Sequence, residues 1–129
     1  MNQENSNKEK RNYDLEDRLV RFGASIGLLV EKLSKSLEGR NISKQLISSG
    51  SSPALNYGEA LAAESRADFI HKLSICLKEL IESRVALKII KMRNLCLDSE
   101  LIIVVDKECS ELIGIFFKSI ETAKKNSGG

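Results

Sequence analysis

Apolar residues recur along most of this chain at the alternating steps of three and four that mark one face of an α-helix. A first stripe is formed by Leu15, Leu19, Phe22, Ile26, Leu29 and Leu33. The pattern returns at Phe69, Leu73, Cys76, Leu80, Leu87 and Ile90, and again at Ile102, Val105, Cys109, Leu112 and Phe116. A single proline in 129 residues argues against the many turns of a β-sandwich or barrel. The pattern therefore predicts a few long helices that pack against one another.

The stretch between the first two stripes is predicted to be helical from an N-cap at Asn41 to about residue 63. Its centre, Ser48–Pro53, leaves two interpretations open. It is a flexible loop between two short helices, or one helix passes through with small residues in a crowded seam and a kink at Pro53. Gly23 and Gly27, four apart in the first helix, would let another helix approach closely.

Polar residues mark the starts of the last two helices. Ser65–Asp68 precedes an apolar run in a capping-box pattern, and Asp98 or Ser99 can cap the fourth helix. The run Leu101–Val105 is rich in β-branched residues and has strand propensity. Helical spacing of apolar residues continues to Ile120, which favours a helix.

Composition assigns the chain to the class of folded, water-soluble proteins. Hydrophobic residues make up 42% of it and the net charge is +2, which excludes a disordered tail or a polycation. We expect a disordered lead-in over residues 1–12, one bundle domain over 13–125 and a frayed tail over 126–129. No apolar run approaches the ~20 residues that span a membrane, so we expect no membrane partner. Three cysteines without paired spacing suit a reducing, cytoplasmic location.

Residue types that carry catalysis or bind metals are scarce. The only histidine is His71, and neither Cys-x-x-Cys nor a P-loop is present. The sequence therefore predicts no metal, no cofactor, no small-molecule substrate and no enzymatic activity. Asn56 and Glu59 share a helix face among apolar neighbours. They are predicted to be polar groups of the bundle core that fix helix register, with a small-molecule or ion site and simple exposure as alternatives.

Positive charge collects in one segment of the chain. Arg84, Lys88, Lys91 and Arg93 lie in a stretch, residues 83–97, that contains no acid. These four residues are a candidate nucleic-acid-binding surface, and a solvated helix face is the alternative interpretation. No aromatic residue lies among them for base stacking.

A second apolar stripe runs along the same predicted helix, through Ile70, Leu77 and Ile81. Two stripes on one helix indicate two buried faces. One can pack inside the bundle and the other, at these three residues, against a neighbouring subunit.

Three segments are similar to the 23S ribosomal RNA intervening-sequence protein family, also called the four-helix-bundle protein family. They are residues 13–22 (YDLEDRLVRF), 45–60 (QLISSGSSPALNYGEA) and 64–80 (ESRADFIHKLSICLKEL). The resemblance implies an all-α, antiparallel up-down four-helix bundle that assembles as a ring-shaped homopentamer. It favours the kinked helix over the loop at Ser48–Pro53, and it supplies no catalytic residues. In a related group, the accessory variability proteins of diversity-generating retroelements, the same bundle binds nucleic acid and a reverse transcriptase.

Together these observations predict a non-enzymatic, oligomeric helical bundle that binds RNA or a ribonucleoprotein through basic surface residues. The alternative is a protein-interaction scaffold without affinity for nucleic acid.

Overall fold

Four helices account for most of the chain in a computed structural model, which describes the backbone of residues 3–127 and the side chains of 14–126. They are α1 (Gln3–Glu31), α2 (Leu37–Leu61), α3 (Arg66–Met92) and α4 (Ser99–Ser127). Over this part of the chain the structure contains no strand, only one isolated bridge. α1 begins at Gln3, before the bundle boundary predicted at residue 13, because the polar residues in between include no helix breaker. The helix thus enters the predicted lead-in over 1–12, whose side chains lie outside the described residues.

The helices form a bundle around one hydrophobic core. Each helix contacts the next in sequence, and α1 also contacts α4. The stripes predicted from sequence supply the core: Leu19, Phe22, Leu73, Leu80, Leu112 and Phe116 are among its most deeply buried side chains. Leu101–Val105 is helical, as the continued spacing indicates.

α2 is one continuous helix through Ser48–Pro53, so the loop interpretation is wrong. Pro53 lacks an N–H and leaves a carbonyl one turn earlier without its usual donor. Two side chains donate to other carbonyls of this segment: the Ser51 hydroxyl to that of Ile47 (2.9 Å) and the Cys76 thiol to that of Pro53 (3.4 Å). Small residues in this segment let α1 and α2 approach closely.

Gly50 is where that approach is tightest. A Cβ at Gly50 would lie 2.8 Å from two side-chain carbons of Ile26, and one at Gly23 would lie 3.3 Å from the Gly50 carbonyl oxygen. Gly23 thus has the close-approach role that its spacing predicts. Gly27 does not, because nothing lies within 4 Å of a Cβ built there.

The start of α2 differs from the prediction. Ser36 is its N-cap and accepts a hydrogen bond from the Gly39 N–H (3.1 Å), so Asn41 lies inside the helix. Gly39 is required by this tight turn, since a Cβ there would lie 1.9 Å from the Ser34 carbonyl oxygen. Serine and asparagine both favour the N-cap position, so residue type alone does not choose between Ser36 and Asn41.

The other two starts follow the sequence. Ser65 caps α3 by accepting from the Asp68 N–H (3.0 Å). Asp98 caps α4 by accepting from the Leu101 N–H (3.0 Å). α3 ends in a Schellman-type turn, in which Asn94 adopts a positive φ of 54° and the Leu95 N–H donates to the Ile90 carbonyl (3.0 Å).

The α1–α2 and α3–α4 loops are joined to each other by an isolated antiparallel bridge between Leu33 and Cys96. The Ser34 N–H donates to the Leu95 carbonyl (2.8 Å), and the Leu97 N–H donates to the Lys32 carbonyl (2.9 Å). We call this region, residues 31–44 together with 84–107, the bridged end of the bundle. None of the described helices has the length and apolar character needed to cross a membrane.

Candidate nucleic-acid interface

The structure places the four predicted basic residues at the bridged end, but in different environments. Lys88 is exposed and makes no ion pair with any described residue. Lys91 is paired with Asp106 of α4 (Nζ–Oδ2 2.5 Å), and Arg93 with Glu38 of α2 (Nε–Oε2 3.1 Å).

Hydrogen bonding to the Glu38 carboxylate raises the pKa of Arg93. Arg84 is half-buried, and its Nε has no hydrogen-bond partner in the described part of the chain. The four residues are therefore not four equally free cations, because two of them already contact carboxylates.

The fold brings further cations to the same end. Exposed side chains without an ion pair among the described residues are Lys32, Lys35, Arg40, Lys44 and Lys107. The bridged end carries nine lysines and arginines against five acids. The remaining residues between 14 and 126 carry eight against eleven. The described bundle is therefore electrically polarised along its length.

Sequence reasoning missed this cluster because its members come from two distant segments. Residues 32–44 contain four basic residues and one acid, a signal that could have been found. Only the bridge between the two loops shows that this segment lies beside the end of α3.

Large aliphatic side chains are also exposed at the bridged end. Leu37 is 77% exposed, Met92 89% and Leu97 85%. No aromatic residue lies within residues 31–44 or 84–107. The surface can therefore hold phosphates electrostatically, but it offers no platform for base stacking.

Asn56 and Glu59 do not bond to each other. The Asn56 amide is half-buried and donates within α2, to the carbonyl (3.0 Å) and hydroxyl (2.9 Å) of Ser52. Glu59 is exposed, not in the core, and pairs with Lys72 of α3 (3.1 Å).

A buried contact between two polar side chains lies elsewhere, between the Ser83 and Ser49 hydroxyls (2.8 Å). Ser83 occupies the position that interrupts the core stripe of α3. That interruption was the sequence signal for this contact.

The predicted interface residues Ile70, Leu77 and Ile81 are half-buried. Leu77 and Ile81 pack partly against the core of their own chain. Their stripe continues at steps of four into Val85 and Ile89, both of which are exposed.

The histidine and two of the cysteines do not form a catalytic or metal-binding arrangement among the described residues. His71 is exposed on α3. Burial raises the pKa of the Cys76 and Cys109 thiols to about 12, so both are neutral near pH 7. Within residues 14–126, no three His, Cys, Asp or Glu side chains are grouped to hold a metal ion.

The fold and this surface define a class: a four-helix bundle with one electropositive end and, within the described residues, no metal-ligand cluster. A family model described as 23S rRNA-intervening sequence protein matches residues 11–118. The chain belongs to this family, as the three similar segments predicted.

A solved structure supports the same assignment. It is a protein of unknown function from the S23 ribosomal protein family of Bacteroides thetaiotaomicron. It is 30% identical in sequence, the match covers 85% of this chain and 97% of that one, and the TM-score is 0.75. A search of curated proteins found no significant match. Neither the family nor this neighbour is described by an enzymatic activity.

Proposed function

We propose that this protein is a non-enzymatic, homo-oligomeric helical bundle that binds RNA, or a ribonucleoprotein, through its bridged end. The observation that carries the proposal is the polarised charge of the bundle, with nine basic residues against five acids at that end. Membership of a family named for an intervening sequence of 23S rRNA favours RNA over other polyanions.

Cations at the bridged end would contact phosphates without reading base sequence. Lys88 is available at once, together with Lys32, Lys35 and Arg40, because none of the four is in an ion pair with a described residue. Lys91 and Arg93 would have to exchange carboxylate partners for phosphate, so each adds less to affinity. Arg84, half-buried, would act mainly through its charge.

We also propose the finer architecture: antiparallel up-down topology, assembly as a ring-shaped homopentamer and a cytoplasmic location. The connections are short, as in up-down bundles. Exposed apolar side chains such as Val85, Ile89 and Phe117 give reason to expect burial against other subunits, beside the half-buried stripe at Ile70, Leu77 and Ile81. Three free cysteines fit a reducing compartment.

The proposal is tested by fluorescence anisotropy with a labelled, structured fragment of 23S rRNA, titrated at several salt concentrations. The triple variant Lys32→Glu/Lys35→Glu/Lys88→Glu should bind weakly. Its plot of log affinity against log salt should be shallower in slope by about 2–3, as the loss of the phosphate contacts of these lysines implies. The matched control Arg21→Glu/Lys78→Glu/Lys125→Glu changes the net charge equally, but away from the bridged end. Equal loss of binding in both variants would contradict the assignment of the surface, and no binding by the wild type at low salt would contradict the function.

A protein-interaction scaffold is the second candidate. The neutralising ion pairs of Lys91 and Arg93 and the exposed Leu37, Met92 and Leu97 favour it. It predicts a stable oligomer that binds no RNA. Light scattering that reports the 14.3 kDa single chain at micromolar concentration would contradict both candidates.

A further inference from the structure

At the end of the bundle opposite the bridge, the four helices surround an open-sided cavity of about 920 Å³, which we call the distal cavity. Its walls include the apolar side chains of Leu15, Phe69, Leu73 and Ile115, from three different helices. Ligand sites in proteins are typically cavities of roughly this size, mostly apolar and with a few polar groups.

Tyr57 provides the first polar group of the distal cavity. Its side chain is only 3% exposed, and its ring stands edge-on to Phe116 with the centroids 5.9 Å apart. The hydroxyl has no hydrogen-bond partner among the described residues, and Tyr57 lines the cavity. Burial raises the pKa of Tyr57 to about 12, so near pH 7 the hydroxyl keeps its proton and can donate. A ligand acceptor in the cavity would receive a hydrogen bond from this hydroxyl.

Charged side chains of both signs line the same cavity. Arg66 at the start of α3 and Lys118 on α4 make no ion pair with described residues, and neither do Asp14 on α1 and Glu64 before α3. A fifth charged group, Arg18, is already held by Glu108 and Glu111 of α4. Two free cations and two free carboxylates match a ligand that carries one charge of each sign better than they match a simple anion or cation.

We infer that the distal cavity binds a small zwitterion with an apolar body: an aromatic α-amino acid, free or at the end of a short peptide. The ligand's carboxylate lies toward Arg66 and Lys118, and its ammonium toward Asp14 and Glu64. The aromatic body packs on Phe69 and Leu73, and an acceptor on that body accepts a hydrogen bond from the Tyr57 hydroxyl. This site is separate from the bridged end, so failure of RNA binding leaves it untouched.

The test uses isothermal titration of the full chain with two isosteric probes, 4-acetyl-L-phenylalanine and 4-isopropyl-L-phenylalanine. The acetyl probe offers a carbonyl acceptor and the isopropyl probe does not. We expect saturable binding of both, with the acetyl probe favoured by roughly 5–10-fold, as one added hydrogen bond implies. Tyr57→Phe should abolish this preference, while circular dichroism checks that the variant remains folded.

Charge specificity is tested with two blocked forms of the acetyl probe, its methyl ester and its N-acetyl derivative. Arg66→Gln/Lys118→Gln should weaken binding of the free zwitterion severalfold but not binding of the ester, which lacks the carboxylate. Asp14→Asn/Glu64→Gln should weaken binding of the zwitterion but not of the N-acetyl derivative. Lys78→Gln, which removes an exposed cation of α3 that does not line the cavity, is the matched control and should change none of these affinities.

Three results would overturn the inference. The first is no saturable binding of either probe at millimolar concentration. The second is a preference for the acetyl probe that survives in Tyr57→Phe. The third is an equal loss of affinity for the zwitterion and its blocked forms in the charge variants.

Discussion

Gly50 offers the sharpest test of how the bundle is packed. An alanine methyl at this position would lie 2.8 Å from both γ-carbons of Ile26, whereas carbon atoms pack best at about 3.5–4.0 Å. Both γ-carbons are bonded directly to the Ile26 Cβ, and a β-branched side chain in a helix has essentially one rotamer. Ile26 therefore cannot rotate away, and α1 and α2 must separate.

The expected magnitude combines two opposing effects. Overpacking of a core costs about 1–3 kcal/mol, while replacing glycine by alanine inside a helix gains about 1 kcal/mol. Gly50→Ala should therefore lower the free energy of unfolding by up to about 2 kcal/mol. Gly27→Ala is the matched control, because it makes the same chemical change in open space and should raise stability by up to about 1 kcal/mol.

The assay is urea unfolding followed by circular dichroism, with all variants at one protein concentration because oligomerisation shifts apparent stability. In an Ile26→Ala background the added methyl at Gly50 has room, so its cost should vanish or reverse. If Gly50→Ala and Gly27→Ala change the unfolding midpoint alike, the close approach of α1 and α2 is not what the structure indicates.

Three further outcomes are expected. Ser83→Ala should cost about 1–2 kcal/mol of unfolding free energy, because the buried Ser49 hydroxyl loses the donor that Ser83 provides. The Ser49→Ala/Ser83→Ala double variant should cost less than the sum of the two single variants, and additive costs measured by urea unfolding would contradict the hydrogen bond. Iodoacetamide at pH 8 should label half-buried Cys96 in the native protein and reach Cys76 and Cys109 only in denaturant. If mass spectrometry finds all three cysteines of the native protein labelled at equal rates, the burial of Cys76 and Cys109 is contradicted. Burial raises the thiol pKa values of Cys76 and Cys109 from 9.0 to about 12, so the unfolded chain loses these protons first and stability should fall as pH rises from about 9 towards 12. A Cys76→Ala/Cys109→Ala variant should lose less stability over that range. If its stability falls with pH as steeply as that of the wild type, the two buried thiols are not the cause.

The helices and their buried faces were largely predictable because apolar periodicity is a local property of the sequence. The stripe from Leu19 to Leu33 enters the core as expected, and Ser65 caps α3 where the capping-box pattern indicates. Continuity of α2 through Pro53 could not be derived from the residues alone. The need for a small residue at Gly50 comes from its approach to Ile26, which is a contact between two helices.

The polar contacts were the hardest to predict. Whether a lysine or arginine is free depends on which acid the fold brings beside it. Arg93 meets Glu38 from a segment far earlier in the chain, and Lys91 meets Asp106 across a loop. For the same reason the sequence does not show that Lys32 and Lys35 lie beside the end of α3. The bridge between the two loops places them there.

The Leu33–Cys96 bridge has a consequence for how the molecule opens. The bridge holds residues 33 and 96 together, so the segment between them, which contains α2, the α2–α3 loop and α3, forms a loop closed by non-covalent contacts. α1 precedes this closed segment and α4 follows it. Either outer helix can detach without breaking that closure, but the inner pair cannot separate until both loop hydrogen bonds are lost. Amide hydrogen exchange at Ser34 and Leu97 should therefore follow the unfolding of the α2–α3 pair, and the outer helices should exchange through smaller, independent openings.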